Sequence, residues 1–414
     1  MDRKQTTVED TPQGTGTNAR SVAGLLPILA AVFISFIIIG LALPVLPLHV
    51  HQGLGLGTSI VGLVVGSQFA ASVVSRVWAG RHADICGPKH AVVTGLVIAA
   101  AAGLLYVVSL QFVIAPVISV MILLLGRALL GAGESFIITG AQTWGLAISG
   151  LQNTGKVLAW MGTAMYAAFA LGAPIGTALY AASGFTAIAL ATTVIPIGAL
   201  LLVAPLRRVP PTARVRAGLT KVITAIWLPG VGLALSSVGF GAITAFVALL
   251  FVARGWTVWP AFTTFAVAFI LARVFFGHLA DRLGGAKVAL VCSLIEAAGQ
   301  ALIWLAPWSA VALTGAALTG FGYSLVYPGF GVEAVRRAPA QSQGLAMGTY
   351  TAFLDVALGF ATPALGLIAG VAGLGTVFLA SMITAICAAG IAASLLYAPR
   401  VARPIGALGC PQQP

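Results

Sequence analysis

The chain has 414 residues, of which 59% are hydrophobic and 7% charged, with a net charge of +12. An average soluble domain is roughly 25% charged, so these charges cannot solvate a globule of 42.0 kDa; a soluble enzyme and a disordered chain are both excluded. The apolar residues run unbroken instead of alternating, which excludes a membrane barrel and leaves helices of ~20 apolar residues crossing a bilayer.

Residues 1–20 are polar and read as a disordered cytoplasmic tail. The apolar run that follows is too long for a cleaved signal peptide, so it is predicted as a retained first span. Charges, Pro and Gly bracket twelve predicted spans: 21–48, 58–80, 90–110, 115–147, 156–181, 184–204, 221–253, 258–280, 287–306, 309–335, 344–370 and 372–397. Pro44, Pro174 and Pro363 fall inside them, which packed membrane helices tolerate. Residues 205–220 read as a cytoplasmic linker between an N-terminal six-helix bundle (21–204) and a C-terminal one (221–397), and 398–414 as a second cytoplasmic tail. With both termini cytoplasmic, 17 of the 21 Lys and Arg fall in the tails and inner connections; Arg254 alone lies in an outer one, and Arg76, Arg127 and Arg273 lie within spans. That asymmetry sets the expected orientation. No basic stripe remains for a nucleic acid. The four cysteines show no pairing or metal spacing, and His49 and His51 lack further ligands, so they read as a loop pair and no metal is expected.

The halves resemble each other. Ser75–Lys89 aligns with Ala272–Ala286 and Gly131–Gly140 with Gly320–Gly329, as duplication of a six-helix unit requires. Within these segments, GHLADRLGGAK (Gly277–Lys287) and GRHADICGPK (Gly80–Lys89) match the cytoplasmic loop motif of the major facilitator superfamily of secondary transporters. The second copy has Ile85 where a basic residue is usual. LGRALLGAGES (Leu125–Ser135) resembles the family's helix 4 motif with its Arg, and FALGAPIGTAL (Phe169–Leu179), with Gly172, Pro174 and Gly176, its antiporter helix 5 motif, in which small residues and Pro shape helix packing. Leu318–Val335 and Gly348–Phe360 resemble bacterial efflux permeases of the arabinose-efflux-like group.

The resemblance implies an all-α polytopic fold of two pseudo-symmetric six-helix bundles, with the first, fourth, seventh and tenth spans lining a cavity. It also implies a latch in which Gly80 and Gly277 permit close approach at helix ends while Asp84 and Asp281 meet a neighbouring helix N-terminus, where negative charge is favoured. Arg282 accompanies Asp281, and Arg76 and Arg273 are expected as partners of the motif carboxylates. Charges inside a span need a partner or a water-filled cavity. Arg127 and Glu134 are seven residues apart on one helix face, with Asp355 as a second midplane acid; these three are the expected proton-coupling residues. Loss of water favours the protonated form of Glu134 and a nearby guanidinium the ionised form. Glu296 is expected buried against its own bundle. Phe36, Phe240, Thr244, Tyr323 and Tyr327 are candidate cavity contacts.

The function these features imply is proton-coupled export of a small organic molecule from a bacterium by alternating access at its inner membrane. The proton gradient takes the place of any cofactor, and the partners are substrate, protons and lipid around a monomer. An uptake symporter is the alternative. A membrane-embedded transferase is more remote, because the carboxylates are scattered and not clustered for catalysis. No phosphate-binding loop supports an ATP-driven pump.

Overall fold

The computed structural model describes residues 16–150, 154–210, 219–338 and 343–397, and among these every regular element is helical. The first span is α1 (Gly16–Ala42), α2 (Leu46–Leu48) and a π-helical turn, His49–Gly53. Pro44 sits in the break between α1 and α2. Next come α3 (Thr58–Cys86), α4 (Pro88–Leu110), α5 (Pro116–Ser149) and α6 (Thr154–Val203). The second half holds α7 (Leu219–Ala242), a π turn (Ile243–Val247) and α8 (Ala248–Ala253), then α9 (Trp259–Phe276), α10 (Leu279–Leu283), α11 (Gly285–Leu305), α12 (Ser309–Arg337), α13 (Gln343–Ala372) and α14 (Leu374–Tyr397). Proline opens α4 and α5, where its missing N–H costs nothing.

Eleven helical stretches among the described residues are long and apolar enough to cross a membrane. One of them is double. α6 has 50 residues, roughly 75 Å at 1.5 Å per residue, more than two bilayer cores. Gly184 (φ 65°, ψ −163°) breaks it where the fifth and sixth predicted spans meet, giving twelve crossings. Val74, Trp78, Leu201 and Phe360 are exposed on the outside, as lipid-facing residues are. The predicted boundaries shift at two places. The second span continues through the loop motif to Cys86, and the first extends through the π turn, so His49 and His51 belong to a helix end and not to a loop. The tails and the middle of the linker (211–218) lie outside the described residues.

Helices α1 to α6 pack among themselves, as do α7 to α14; the two bundles meet mainly where α3 lies along α13 and α6 along α9. Their internal symmetry is visible in matched contacts. Gly131 of α5 lies on the Gln68 carbonyl of α3, and Gly320 of α12 on the Phe265 carbonyl of α9; an added Cβ would collide with either. Gly133 likewise sits on Gly95 and Ala99, and Gly322 on Cys292 and Glu296. Gly87 and Gly284, ending the two loop motifs, share the same left-handed backbone (φ 94° each), open to Gly at no cost.

We call the end carrying these motifs the motif end and the opposite one the distal end. At the distal end α2 packs on α8 and on the second π turn, burying Leu46–Val50 and Ala248–Phe251. The first and seventh spans therefore close that end.

Candidate functional site

Intramembrane charge concentrates at the seam between the bundles. Along α3 and α13 the seam is tight because small residues let the backbones approach: Gly62 and Gly66 lie against Thr362 and Pro363, and Gly359 against Ala70. Thr58 adds a hydrogen bond to the Gly366 carbonyl at 3.1 Å. Two to three turns further toward the motif end, the Arg76 guanidinium of α3 donates to the Asp355 carboxylate of α13. Ser72 Oγ also donates to Asp355, at 3.4 Å. The pair is buried, with 17% of the Arg76 side chain and 3% of Asp355 exposed. It joins one bundle to the other.

A narrow cavity opens beside this pair near mid-depth. Arg76 and Asp355 line it together with Glu134 of α5, whose carboxylate accepts a hydrogen bond from Gln68 Nε2 of α3 at 2.7 Å. The remaining wall is largely apolar and aromatic: Phe69, Tyr166, Phe169, Phe240 and Leu358 among others, with the Thr351 hydroxyl. Tyr166 of α6 bridges the bundles, its ring 4.9 Å from Phe269 and 5.8 Å from Tyr327. One cavity thus presents two carboxylates from different bundles, one guanidinium and an aromatic wall.

This arrangement corrects several expectations. Arg127 does not join Glu134. It is fully buried behind the cavity, directed at the carbonyls of Val64 (3.4 Å) and Val65 (3.5 Å) and the Tyr106 hydroxyl (3.4 Å). Seven residues of separation place it two turns away from Glu134 along α5. Arg76 pairs with Asp355 and not with a motif carboxylate. Arg273 donates to the Ser324 carbonyl (2.8 Å) and lies over the Tyr327 ring (5.9 Å).

The cavity walls come from the second, fourth, fifth, seventh and eleventh spans, because the open space lies on the α3–α13 and α6–α9 seams. Of the candidate contacts only Phe240 lines it. Phe36 packs on Phe169 (5.9 Å), Thr244 donates to Gly241 within the π-turn region (3.1 Å), Tyr323 is buried against Phe240 (5.1 Å), and Tyr327 pairs with Thr351 (3.2 Å).

At the motif end, Gly80 lies inside α3 with open space above it, and Gly277 meets only its own helix, so neither permits a close approach. Asp281 and Arg282 are exposed, and Asp84 is half-buried. Gly172 and Gly176 of α6 do make close contact, against Gly40 and Leu41 of α1, and Pro174 lies between them in the helix. Glu296 is fully buried within its own bundle, as expected.

Sequence reasoning missed Gln68, Tyr166 and Glu333. Gln68 was detectable as a lone amide in an apolar span. Glu333 accepts from the Ala286 N–H at the start of α11 (3.3 Å) and pairs with Arg336 (3.3 Å). Among the described residues no group of His, Cys, Asp and Glu is placed to hold a metal.

Comparison with known proteins places this architecture. The family model of the Major Facilitator Superfamily matches residues 28–261 and 253–407. An uncharacterized MFS-type transporter of Salmonella typhimurium is 43% identical over 373 residues, covering 90% of this chain and 96% of that protein. The uncharacterized MFS-type transporter YhhS of Escherichia coli K12 is 40% identical, covering 84% and 86%. Among solved structures, the human organic anion transporter MFSD10 superposes with a TM-score of 0.68 at 14% identity (90% of this chain, 99% of that one). A bacterial homologue of the lysosomal transporter Spinster, inward-facing and occupied, gives 0.69 at 14% (93% and 98%). These two share the fold. The chain belongs to the major facilitator superfamily, and it is a multi-pass membrane transporter, not an enzyme.

Proposed function

We propose that this member of the superfamily exports a small organic molecule in exchange for protons, from a bacterial inner membrane in which it stands as a monomer with both termini cytoplasmic. One observation carries the reading: Glu134 and Asp355, from opposite bundles, line one cavity together with the guanidinium that Asp355 binds. Charge in the membrane interior is costly and is retained where it serves transport.

The exchange follows from that geometry. Arg76 holds the bundles together through Asp355 while Asp355 is ionised. A proton delivered to Asp355 cancels the attraction, and Glu134, in the same bundle as Arg76, becomes the alternative partner. The cross-bundle link is then lost, α3 and α13 part at the motif end, and substrate and proton sites change the side they face. Export and the orientation are supported by the 17-to-1 distribution of basic residues and by the resemblance of Phe169–Leu179 to antiporter sequences. Asp84 and Asp281, with the residues around them, act in the opposite phase as a motif-end latch; residues 205–220 tether the halves on that side.

Proteoliposomes carrying a pH dye inside test the coupling. Glu134→Gln and Asp355→Asn each abolish substrate-driven proton flux while the protein still inserts. Flux at the wild-type level in both variants removes the seam carboxylates from the mechanism.

A further inference from the structure

Glu296 stands outside this cavity. It lies midway along α11, fully buried, against α7 of its own bundle. Ser236 Oγ of α7 donates to Glu296 Oε2, whereas Oε1 has no hydrogen-bond partner. One turn along the same face, Gln300 Nε2 donates to the Gly239 carbonyl (3.3 Å) and to Thr319 Oγ1 (3.5 Å), and Gln300 Oε1 also lacks a partner. Both side chains converge on Gly239 of α7. A Cβ there would lie 2.5 Å from Glu296 Oε1 and 3.0 Å from Gln300 Nε2.

No cation balances this carboxylate among the described residues. α7 presents Ser236, Ser237 and Gly239; α12 presents Thr319 and Tyr323, whose hydroxyl meets Ser237 at 3.3 Å. The buried face of α14 has no titratable side chain, and α11 itself adds Cys292, one turn away. An isolated ionised carboxylate is not sustained in such surroundings. Two unpartnered oxygens on adjacent turns share one deficit, a hydrogen-bond donor. One proton on Glu296 Oε1 removes the charge and makes that oxygen a donor itself.

We propose that Glu296 is a second proton-binding site, separate from the cavity, and that its proton holds α7 against α11 while the distal end is closed. The link to the distal end is short. Gly239 is one turn from the π turn Ile243–Val247, an irregular segment of a kind frequent at functional sites, and α8 beyond it packs on α2. Ionisation requires water at Oε1, which the present packing excludes, so the proton leaves to water only when α7 moves off α11. That movement withdraws α8 from α2. The assignment concerns the C-terminal bundle alone and does not depend on Glu134 or Asp355 carrying a proton.

The test uses the full chain in lipid nanodiscs, with its four cysteines replaced by Ala and spin labels at Gln52 and Thr257, both exposed at the distal end. Wild type is expected to shift from short to long label distances as pH rises. Glu296→Gln, a permanently neutral mimic, stays short at every pH. Gly239→Ala, whose methyl group presses on both side chains, is long even at low pH. Proton flux in Glu134→Gln and Asp355→Asn decides the cavity reading and distal-end distances decide this one, so failure here is separable from failure there. A Glu296→Gln curve that follows wild type, or a wild type without a shift, overturns the proposal. Should Glu296→Gln not insert, infrared spectra of wild type and Gly239→Ala decide: a protonated carboxyl band that is lost in Gly239→Ala supports the site, and its absence from wild type refutes it.

Discussion

Replacing Asp355 with Asn removes a charge and little volume from the one ion pair that joins the bundles among the described residues. Arg76 is then left with Ser72 Oγ at 3.4 Å, and its Nε has no partner. Breaking a buried pair by deleting one member costs about 3–5 kcal/mol. Arg76 is 17% exposed at its side chain and borders the cavity, so water recovers part of that, leaving about 2–3 kcal/mol by the same reasoning. The interaction exists only while α3 and α13 are together, so its loss biases the equilibrium between conformations. At 1.36 kcal/mol per factor of ten, the closed seam loses roughly 30- to 160-fold in population.

Spin labels at Arg81 and Leu283, both exposed at the motif end, report this as a shift to longer distances. The reversed pair, Arg76→Asp with Asp355→Arg, restores part of the closed population, and the double-mutant cycle gives a coupling of about 0.5–3 kcal/mol, the range for residues in contact. A distance distribution unchanged in Asp355→Asn, or a reversed pair no better than either single variant, refutes the seam as the place where charge controls conformation.

Three further outcomes follow from the same geometry. Gly131→Ala and Gly320→Ala push a methyl group into the backbone of the neighbouring helix and destabilise by about 1–3 kcal/mol or more, read as lower folded yield and earlier thermal unfolding, with the two sites equivalent. A cysteine at Arg208 resists membrane-impermeant thiol reagents in intact cells, and ready labelling inverts the proposed orientation. Asp84→Asn and Asp281→Asn lower transport without loss of insertion; normal transport in both leaves the motifs with a topological role only.

The fold was legible because its determinants are local. Apolar runs, the basic connections and two copies of one loop motif define twelve spans and their duplication, and the equivalent contacts that Gly131 and Gly320, and Gly133 and Gly322, make in their own bundles carry that repeat into packing. The site was legible only in part. Glu134, Asp355 and Arg76 stood out as charges in apolar helices, but their grouping depends on which helix faces meet at the seam, which no single span encodes. Arg127 shows the failure most clearly. Its spacing from Glu134 puts both on one face, yet carbonyls and a tyrosine hydroxyl take up its guanidinium. Aromatic residues carried little signal, because Tyr166 at the seam and Tyr106 behind it look alike in sequence.

The most direct measurement of the central claim uses everted membrane vesicles that overproduce the protein and are energised by respiration. A pH-gradient dye is followed while a panel of organic cations, anions and neutral metabolites is added one at a time. The account predicts that at least one compound dissipates the gradient through wild type and none does through Glu134→Gln. A compound that the wild-type protein accumulates in the vesicles with no change in the gradient contradicts it.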